Sequence, residues 1–204
     1  MADSLEKLFG SPARVKILRF FLMNTEEAFT LAEISKLAKI PRLKTRKEIN
    51  FLLALGFIKK AVKETQFIAK NKKIKKKREP GFKLFSLFPH VRGLQSLLLG
   101  SLPVSRELLT KRFKVLGRGI KFVALSGIFT GDEGGGPDIF VVGDNVKKSK
   151  LEKILGKVES EIGKELNYVL FDTNEFKYRQ SMYDRFVLDI LDKEHDVLID
   201  NFKS

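Results

Sequence analysis

What most constrains the fold of this 204-residue chain is a closely spaced set of helix signals in TLAEISKLAKIPRLKTRKEINFLLALGFI, residues 30–58. Thr30, followed three residues later by Glu33, is the pattern of a capping box, in which two side chains satisfy the first free amides of a helix. The capping box therefore predicts a short helix that begins after Thr30 and spans about 31–38. Gly56 supplies the left-handed stop of a second, longer helix. The segment predicts two helices joined by a tight turn.

The second of these helices has an apolar side and a basic side. Ile49, Leu52 and Leu53 recur at helical spacing on the apolar side. Upstream, Ser11 suits the N-cap and Pro12 the first position of a helix, so SLEKLF and ARVKILRFFLMN are predicted to be two more helices. The opposite, basic side of the second helix is expected to face solvent and comprises Arg42, Lys44, Arg46, Lys47 and Asn50.

Over Leu31–Ile58 the chain has a short helix, a turn, a basic helix, a glycine and then the residues FI. This order resembles the winged helix-turn-helix regulators of the ArsR and MarR type. The resemblance implies that the second helix, from Arg42 to Leu55, enters the major groove of DNA. It also implies a β-hairpin wing, with FIKKAVK and FKLFSLF as strands and IAKNKKIKKKREPG as tip. Base-edge contacts are expected from Arg42, Lys44, Arg46 and Asn50, and phosphate contacts from Thr45 and Lys47. For each residue singly, an ordinary exposed helix position is the alternative.

The tip of the wing concentrates positive charge. Such charges repel one another unless a counter-charged surface is near, so a phosphate backbone is the expected partner, with a solvated lysine loop as the alternative. The net charge of +14 is uneven, with +18 in residues 1–118 and −4 in residues 119–204, so the first half is the expected polyanion-binding part. Seven cations lie within nine residues of the tip: Lys70, Lys72, Lys73, Lys75, Lys76, Lys77 and Arg78.

Composition excludes several classes of site. The chain has no cysteine and only two histidines, His90 and His195, which rules out a disulfide framework and a Cys/His zinc site. No run of about 18 apolar residues is present, so we expect no membrane partner. Since MADSLEKLFG lacks the cationic start and apolar middle of a signal peptide, we expect a cytoplasmic protein.

Two leucine-rich segments, HVRGLQSLLLG and PVSRELLTKRFKVLG, predict a helical connector that is broken by GSLP. In the resembled regulators such helices pair two subunits, which implies a homodimer. Packing between the two halves of one chain is the alternative. From Ile120 the pattern changes: IKFVALSG, DIFVVG and NYVLF suit buried strands. VKKSKLEKILGKVESEIGKEL and NEFKYRQSMYDRFVLDILD suit helices, and together they predict a small α/β domain.

The stretch SGIFTGDEGGGPDIFVV at 126–142 resembles the motif of minimal nucleotidyltransferases of the DNA polymerase β superfamily, namely Gly-Ser, a later Gly and Asp-x-Asp on the next strand. Ser126 and Gly127 stand at the first pair in reversed order. Gly131 matches the later glycine and Asp138 the first aspartate, but Phe140 replaces the second. Strand residues two apart share a face, so the family's two carboxylates hold Mg²⁺ together. A phenyl ring offers no oxygen ligand.

The family's third acid falls at the uncharged Asn167. We therefore predict no metal, no cofactor and no catalytic activity, and we interpret Asp138 as a loop or cap residue. A residual nucleotide pocket at Ser126, Gly127, Gly131 and Asp138 stays open beside a purely structural turn, because backbone amides alone can hold a phosphate. Four acids could in principle replace the missing ligands: Asp132, Glu133, Asp144 and Asp172.

The sequence thus predicts an α/β (α+β) protein of three parts: a winged helix-turn-helix domain at 1–90, a helical connector at 91–118 and a nucleotidyltransferase-like domain at 119–204. The expected function is that of a DNA-binding transcription regulator with an inactive second domain. Its expected partners are double-stranded DNA and a nucleotide or protein effector. Two alternatives stay open: an active nucleotidyltransferase acting on RNA or a protein partner, and a toxin-neutralising or RNA-binding module.

Overall fold

A computed structural model describes residues 4–68, 74–99, 104–131 and 136–202, and for 66–68 and 74–76 it describes the backbone alone. The fold is a mixture of helices and strands, in agreement with the predicted class. The chain divides into two compact units. The first comprises Met1–Pro103 with Glu159–Lys164, and the second comprises Val104–Val158 with Glu165–Ser204.

The first unit begins with four helices: α1 (Ser4–Leu8), α2 (Pro12–Met23), α3 (Leu31–Leu37) and α4 (Arg42–Ala54). The predicted helix starts are confirmed. The Ser11 hydroxyl accepts a hydrogen bond from the Arg14 amide at 3.3 Å, which caps α2. Thr30 and Glu33 form the predicted capping box of α3. Gly56 has a φ of 77°, the left-handed conformation that follows the end of α4.

The β-hairpin that was predicted after α4 is confirmed, but its predicted extent is wrong. Strands β1 (Ile58–Ile68) and β2 (Ile74–Leu84) pair in antiparallel over eleven residues each. Residues 74–81 therefore belong to a strand rather than to the tip, and β2 ends four residues before Phe88. Side chains of a two-stranded ribbon alternate between its two sides, so a lysine-rich segment can pair without placing all its charges together.

A backbone bridge ties this hairpin to the segment before α3. The Phe29 amide donates to the Phe82 carbonyl at 2.9 Å, and the Phe82 amide donates to the Phe29 carbonyl at 2.8 Å. Gly81 makes this approach possible, because a Cβ atom there would lie 2.9 Å from the Phe29 carbonyl oxygen. The base of the hairpin is thus held on the same body as the helices.

The helices and the base of the hairpin share one apolar core, which α5 (Val91–Leu99) completes. Phe20 of α2 packs edge to face on Phe21 and on Phe29, with ring centroids 5.4 and 4.7 Å apart. The core fixes the buried side of α4 against α2. Its fully buried members include Ile17, Phe21, Ile34, Leu52, Phe57 and Leu98.

The second unit contains a four-stranded sheet in the order β5-β4-β3-β6. Its elements are α6 (Arg106–Lys114), β3 (Ile120–Leu125), β4 (Ile139–Gly143), α7 (Lys148–Ile162), β5 (Tyr168–Phe171), α8 (Thr173–Ser181), α9 (Arg185–Asp192) and β6 (Asp196–Asp200), with the residues of α7 from Glu159 onward counted in the first unit. Strand β3 pairs in antiparallel with β4 and β6, whereas β4 and β5 are parallel. The three predicted strands and the helix between them are confirmed, and β6 was not predicted.

The prediction of a single helix after β5 is wrong. Tyr183 adopts a φ of 53°, which breaks the helix, and the Asp184 side chain accepts from the Val187 amide at 3.2 Å to start α9. The two short helices cover one face of the sheet. Their Phe176, Val187 and Ile190 pack in one apolar cluster with Phe122, Phe140 and Phe171 of the strands.

Candidate nucleic-acid interface

The turn between α3 and α4 is fixed by hydroxyl groups. Lys39 takes a left-handed conformation with a φ of 52°, which turns the chain sharply after α3. The Ile40 carbonyl then accepts hydrogen bonds from the Ser35 hydroxyl at 2.7 Å and from the Thr45 hydroxyl at 3.3 Å. Both helices are therefore bonded to the same turn residue.

The predicted phosphate contact of Thr45 is wrong. Its side chain is fully buried, and its hydroxyl also donates to the Pro41 carbonyl at 3.2 Å. A hydroxyl so placed cannot reach a phosphate in solution. Its role is to fix the first turn of α4 against the preceding turn, and Ser35, which sequence reasoning missed, shares that role.

A buried carboxylate fixes the middle of α4. Glu48 accepts from the Ser11 hydroxyl at 2.8 Å and from Arg14 Nε at 2.9 Å, and the Arg14 guanidinium also lies 3.9 Å from the centre of the Phe51 ring. These contacts link α4 to the first turn of α2. The sequence carries a signal for this site, because Glu48 falls on the same helical stripe as Thr45 and Leu52.

The other predicted contact residues of α4 lie on its exposed side. Within the part of the chain that the structure describes, none of the four cations on this side has an ion-pair partner. Their positive charges are therefore uncompensated on a helix whose opposite side is anchored by buried polar bonds. The exposed residues are Arg42, Lys44, Arg46, Lys47 and Asn50.

Two cations of the hairpin, unlike those of α4, have ion-pair partners among the described residues. Lys77 pairs with Glu79 at 3.0 Å, and Arg78 pairs with Glu64, its direct neighbour across the strands, at 2.8 Å. Exposed pairs of this kind contribute about 0–1 kcal/mol, so a phosphate can replace the carboxylate at small cost. Of the remaining predicted cations, Lys70, Lys72 and Lys73 lie outside the described residues, and Lys75 and Lys76 are described by their backbone only.

Two further lysines are paired near the hairpin base. Lys83 contacts Glu26 at 3.2 Å and Lys63 contacts Glu27 at 3.5 Å. Lys63 also lies 4.7 Å from the centre of the Phe29 ring. These pairs join the hairpin to the segment before α3, so we assign them to holding the hairpin rather than to binding a ligand.

The candidate nucleotide residues of the second unit are engaged by their own backbone. The Ser126 hydroxyl is buried and donates to the Pro137 carbonyl at 2.6 Å. The Asp138 carboxylate accepts from the Ile128 amide at 3.0 Å and from the Asn167 amide at 2.8 Å, one bond to each oxygen. This geometry agrees with the interpretation of Asp138 as a cap residue.

Both glycines of this turn, Gly127 and Gly131, have a left-handed backbone conformation. Gly127 has a φ of 55°, and a Cβ atom there would lie 2.5 Å from an oxygen of Asp138. Gly131 has a φ of 80°, and no atom of the described residues would lie within 4 Å of a Cβ atom there. The first glycine is thus required by the packing of the turn, whereas the second is required by its conformation alone.

Phe140 is fully buried, with its ring centre 6.2, 5.7 and 5.8 Å from those of Phe122, Phe171 and Phe176. An aspartate at this position would therefore lie in an apolar cluster. Asn167, at the place of the family's third acid, is exposed, and its carbonyl accepts from the Asp138 amide at 2.7 Å.

Two of the four acids that could replace missing metal ligands have other partners. Asp144 accepts from the Thr173 amide at 3.0 Å and from its hydroxyl at 2.8 Å, and these two bonds, the amide first, lower the pKa of Asp144. Asp172 caps α8 by accepting from the Glu175 amide at 2.7 Å. Asp132 and Glu133 lie outside the described residues. Over the described ranges, no three or more acids and histidines are grouped so as to hold a metal ion.

Comparison with protein-family models, with curated proteins and with solved structures gave no match for this chain. Of the helices in the described ranges, none combines the length and the apolar character needed to cross a bilayer. Function must therefore be inferred from the residues themselves.

Proposed function

We propose that this protein is a DNA-binding transcription regulator in which α4 reads duplex DNA and the second unit is a nucleotidyltransferase-like domain without catalytic activity. The observation that carries the proposal is the exposed side of α4. Four cations that have no ion-pair partner among the described residues lie there, on a helix whose buried side is bonded to the rest of the unit through Thr45 and Glu48.

The dimensions of α4 suit a major groove. Thirteen residues give a helix of about 20 Å in length and about 10–12 Å in diameter, and the groove of B-DNA is about 12 Å wide. The order α3, turn, α4 and hairpin is the order of the winged helix-turn-helix regulators that the sequence resembles. Arg42, Lys44, Arg46 and Asn50 face base edges in this proposal, and Lys47 faces the phosphates.

The hairpin supplies the sequence-independent part of binding. Its lysines and Arg78 contact phosphates, and the acids that now pair with Lys77 and Arg78 are released when they do so. Because phosphate contacts displace condensed counterions, binding must weaken steeply with salt.

The second unit has no catalytic role in this proposal. The carboxylate of Asp138 is already bonded to two amides, and Phe140 is buried among aromatic rings where the resembled enzymes carry a metal ligand. The unit then acts as a scaffold, a dimerisation unit or a sensor for a nucleotide or protein effector.

Fluorescence anisotropy of a labelled duplex of about 24 base pairs, roughly two helical turns, tests the first half of the proposal. Affinity should fall steeply between about 50 and 200 mM salt. Replacing five hairpin lysines by glutamine should weaken binding to all sequences and lower the slope of log K against log salt by up to about 4 or 5, since each phosphate contact contributes about 0.9. The five are Lys72, Lys73, Lys75, Lys76 and Lys77.

A matched control removes the same charge elsewhere, from five exposed lysines of the second unit: Lys147, Lys148, Lys150, Lys153 and Lys177. It should leave the slope nearly unchanged. Binding without salt dependence, or equal effects of the two variants, would contradict the proposal, and a preference for single-stranded RNA would favour an RNA-binding module. Magnesium-dependent transfer of label from nucleoside triphosphates to RNA or protein, lost on Asp138→Ala, would refute the inactive second unit.

A further inference from the structure

A largely exposed apolar side chain, that of Leu43, lies within the cationic side of α4. Leu43 is 83% exposed, more than any other large hydrophobic residue whose side chain the structure describes. On the same helix Ile49 and Leu52 are buried in the core. A single exposed leucine is ordinary on a protein surface, so its position, rather than its exposure alone, is informative.

The neighbours of Leu43 are the four cations of α4, which the described parts of the chain leave without an ion-pair partner. Residues three and four apart lie side by side on a helix, so Arg46 and Lys47 flank Leu43 on one side, and Arg42 and Lys44 are its neighbours in the chain. An apolar protein surface covering Leu43 would have to desolvate these charges without pairing them, which is costly. The fitting partner offers anionic groups around an apolar group.

The major groove of DNA offers that combination. Rows of phosphates border it, and the thymine C5-methyl group is the apolar group that base pairs present within it. Leu43 is the second residue of α4, and the residues at the N-terminal end of a recognition helix are those that reach base edges. We infer that Leu43 contacts a thymine methyl group and makes the protein selective for a T·A pair at one position of its site.

This inference rests on the proposed function and is tested with the wild-type protein and its Leu43→Ala variant. The probe is a duplex selected from random DNA by binding to the wild-type chain, in which each thymine is replaced singly by deoxyuridine. This replacement removes only the methyl group and keeps base pairing. At one position it should weaken wild-type binding about fourfold, the factor that corresponds to burying one methyl group. The Leu43→Ala variant should bind the thymine and uracil duplexes equally.

Leu55→Ala is the matched control. It makes the same change at the residue that directly follows α4, twelve residues and about 18 Å further along the axis, at a side chain that is 51% exposed. It should keep the full sensitivity to uracil. Because Leu43 is exposed, its replacement should leave the unfolding midpoint unchanged, as measured by circular dichroism.

The outcomes separate the two proposals. Salt-dependent duplex binding with no uracil effect in the wild type, or with an unchanged uracil effect in Leu43→Ala, overturns the role of Leu43 and leaves the proposed function in place. Failure of the wild type to bind any duplex overturns both.

Discussion

The buried carboxylate of Glu48 allows a quantitative test of how α4 is held. Its two oxygens accept from the Ser11 hydroxyl and from Arg14 Nε, so one side chain of α4 is bonded to both the N-cap and the first turn of α2. Glu48→Gln keeps the shape and one acceptor but removes the charge. Glu48→Ala removes both acceptors.

The expected losses follow from the kind of bond that is removed. A hydrogen bond to a charged group contributes about 1.5–3 kcal/mol and a neutral one about 0.5–1.5 kcal/mol, so Glu48→Gln should lower the free energy of unfolding by about 1–2 kcal/mol. Breaking a buried pair outright costs about 3–5 kcal/mol. We expect about 3 kcal/mol for Glu48→Ala, the lower end of that range, because the Arg14 side chain is 26% exposed and can turn to water.

Urea unfolding followed by circular dichroism measures these losses. Hydrogen exchange then locates them, and protection should fall in the peptides of α2 and α4. The control is Glu26→Gln, the same change at an exposed ion pair with Lys83, which should cost no more than about 0.5 kcal/mol. A loss for Glu48→Gln no larger than that of the control would refute the assignment of Glu48 as the anchor of α4.

Three further perturbations test other parts of the structure. Gly81→Ala places a Cβ atom against a carbonyl oxygen and should cost about 1–3 kcal/mol in urea unfolding. Gly93→Ala, in open space within α5, should instead stabilise by about 0.5–1 kcal/mol. Phe140→Leu should cost about 1–3 kcal/mol, because it removes the ring contacts with three other phenylalanines. Phe140→Asp should instead unfold the second unit, as followed by the fluorescence of the three tyrosines, which all lie there. The lowered pKa of Asp144 stabilises the fold above about pH 3.8 and ceases to do so as the pH falls, so wild type and Asp144→Asn should differ in stability at pH 7 and converge in acid.

Each of these predictions has an outcome that would contradict it. Equal stabilities of the two glycine variants would remove the argument from the close backbone approach. A folded Phe140→Asp variant would show that the aromatic cluster tolerates a carboxylate. A stability difference for Asp144→Asn that stays constant from neutral pH to acid would show that the hydrogen bonds to Thr173 do not act through the charge.

Local chemistry explains which parts of the fold were predictable. The starts of α2 and α3 follow from Ser11 and Thr30, because a cap requires only the residues of one helical turn. The extent of β2 depends instead on pairing with residues up to 26 positions away, which no local signal records. The break before α9 depends on the left-handed conformation of Tyr183, a residue that rarely takes it.

In the candidate site, too, features set by local sequence were predictable and features set by distant contacts were not. Helical periodicity predicts the exposed cations of α4, since it needs only the spacing of Ile49 and Leu52. Periodicity also assigns Thr45 and Glu48 to the buried stripe, although Thr45 was predicted to contact a phosphate. Their hydrogen-bond partners, Ile40 and Ser11 among them, emerge only when the turn and α2 are in place.

The length of the hairpin sets how far along DNA a single chain would reach in the proposed function. Eleven paired residues extend about 34 Å, which is close to one full turn of the double helix. Because α4 leads directly into one end of this ribbon, the proposed DNA binding predicts that one chain contacts the duplex at two places about a turn apart. Its footprint would then be two protected patches on one side of the helix, with accessible DNA between them.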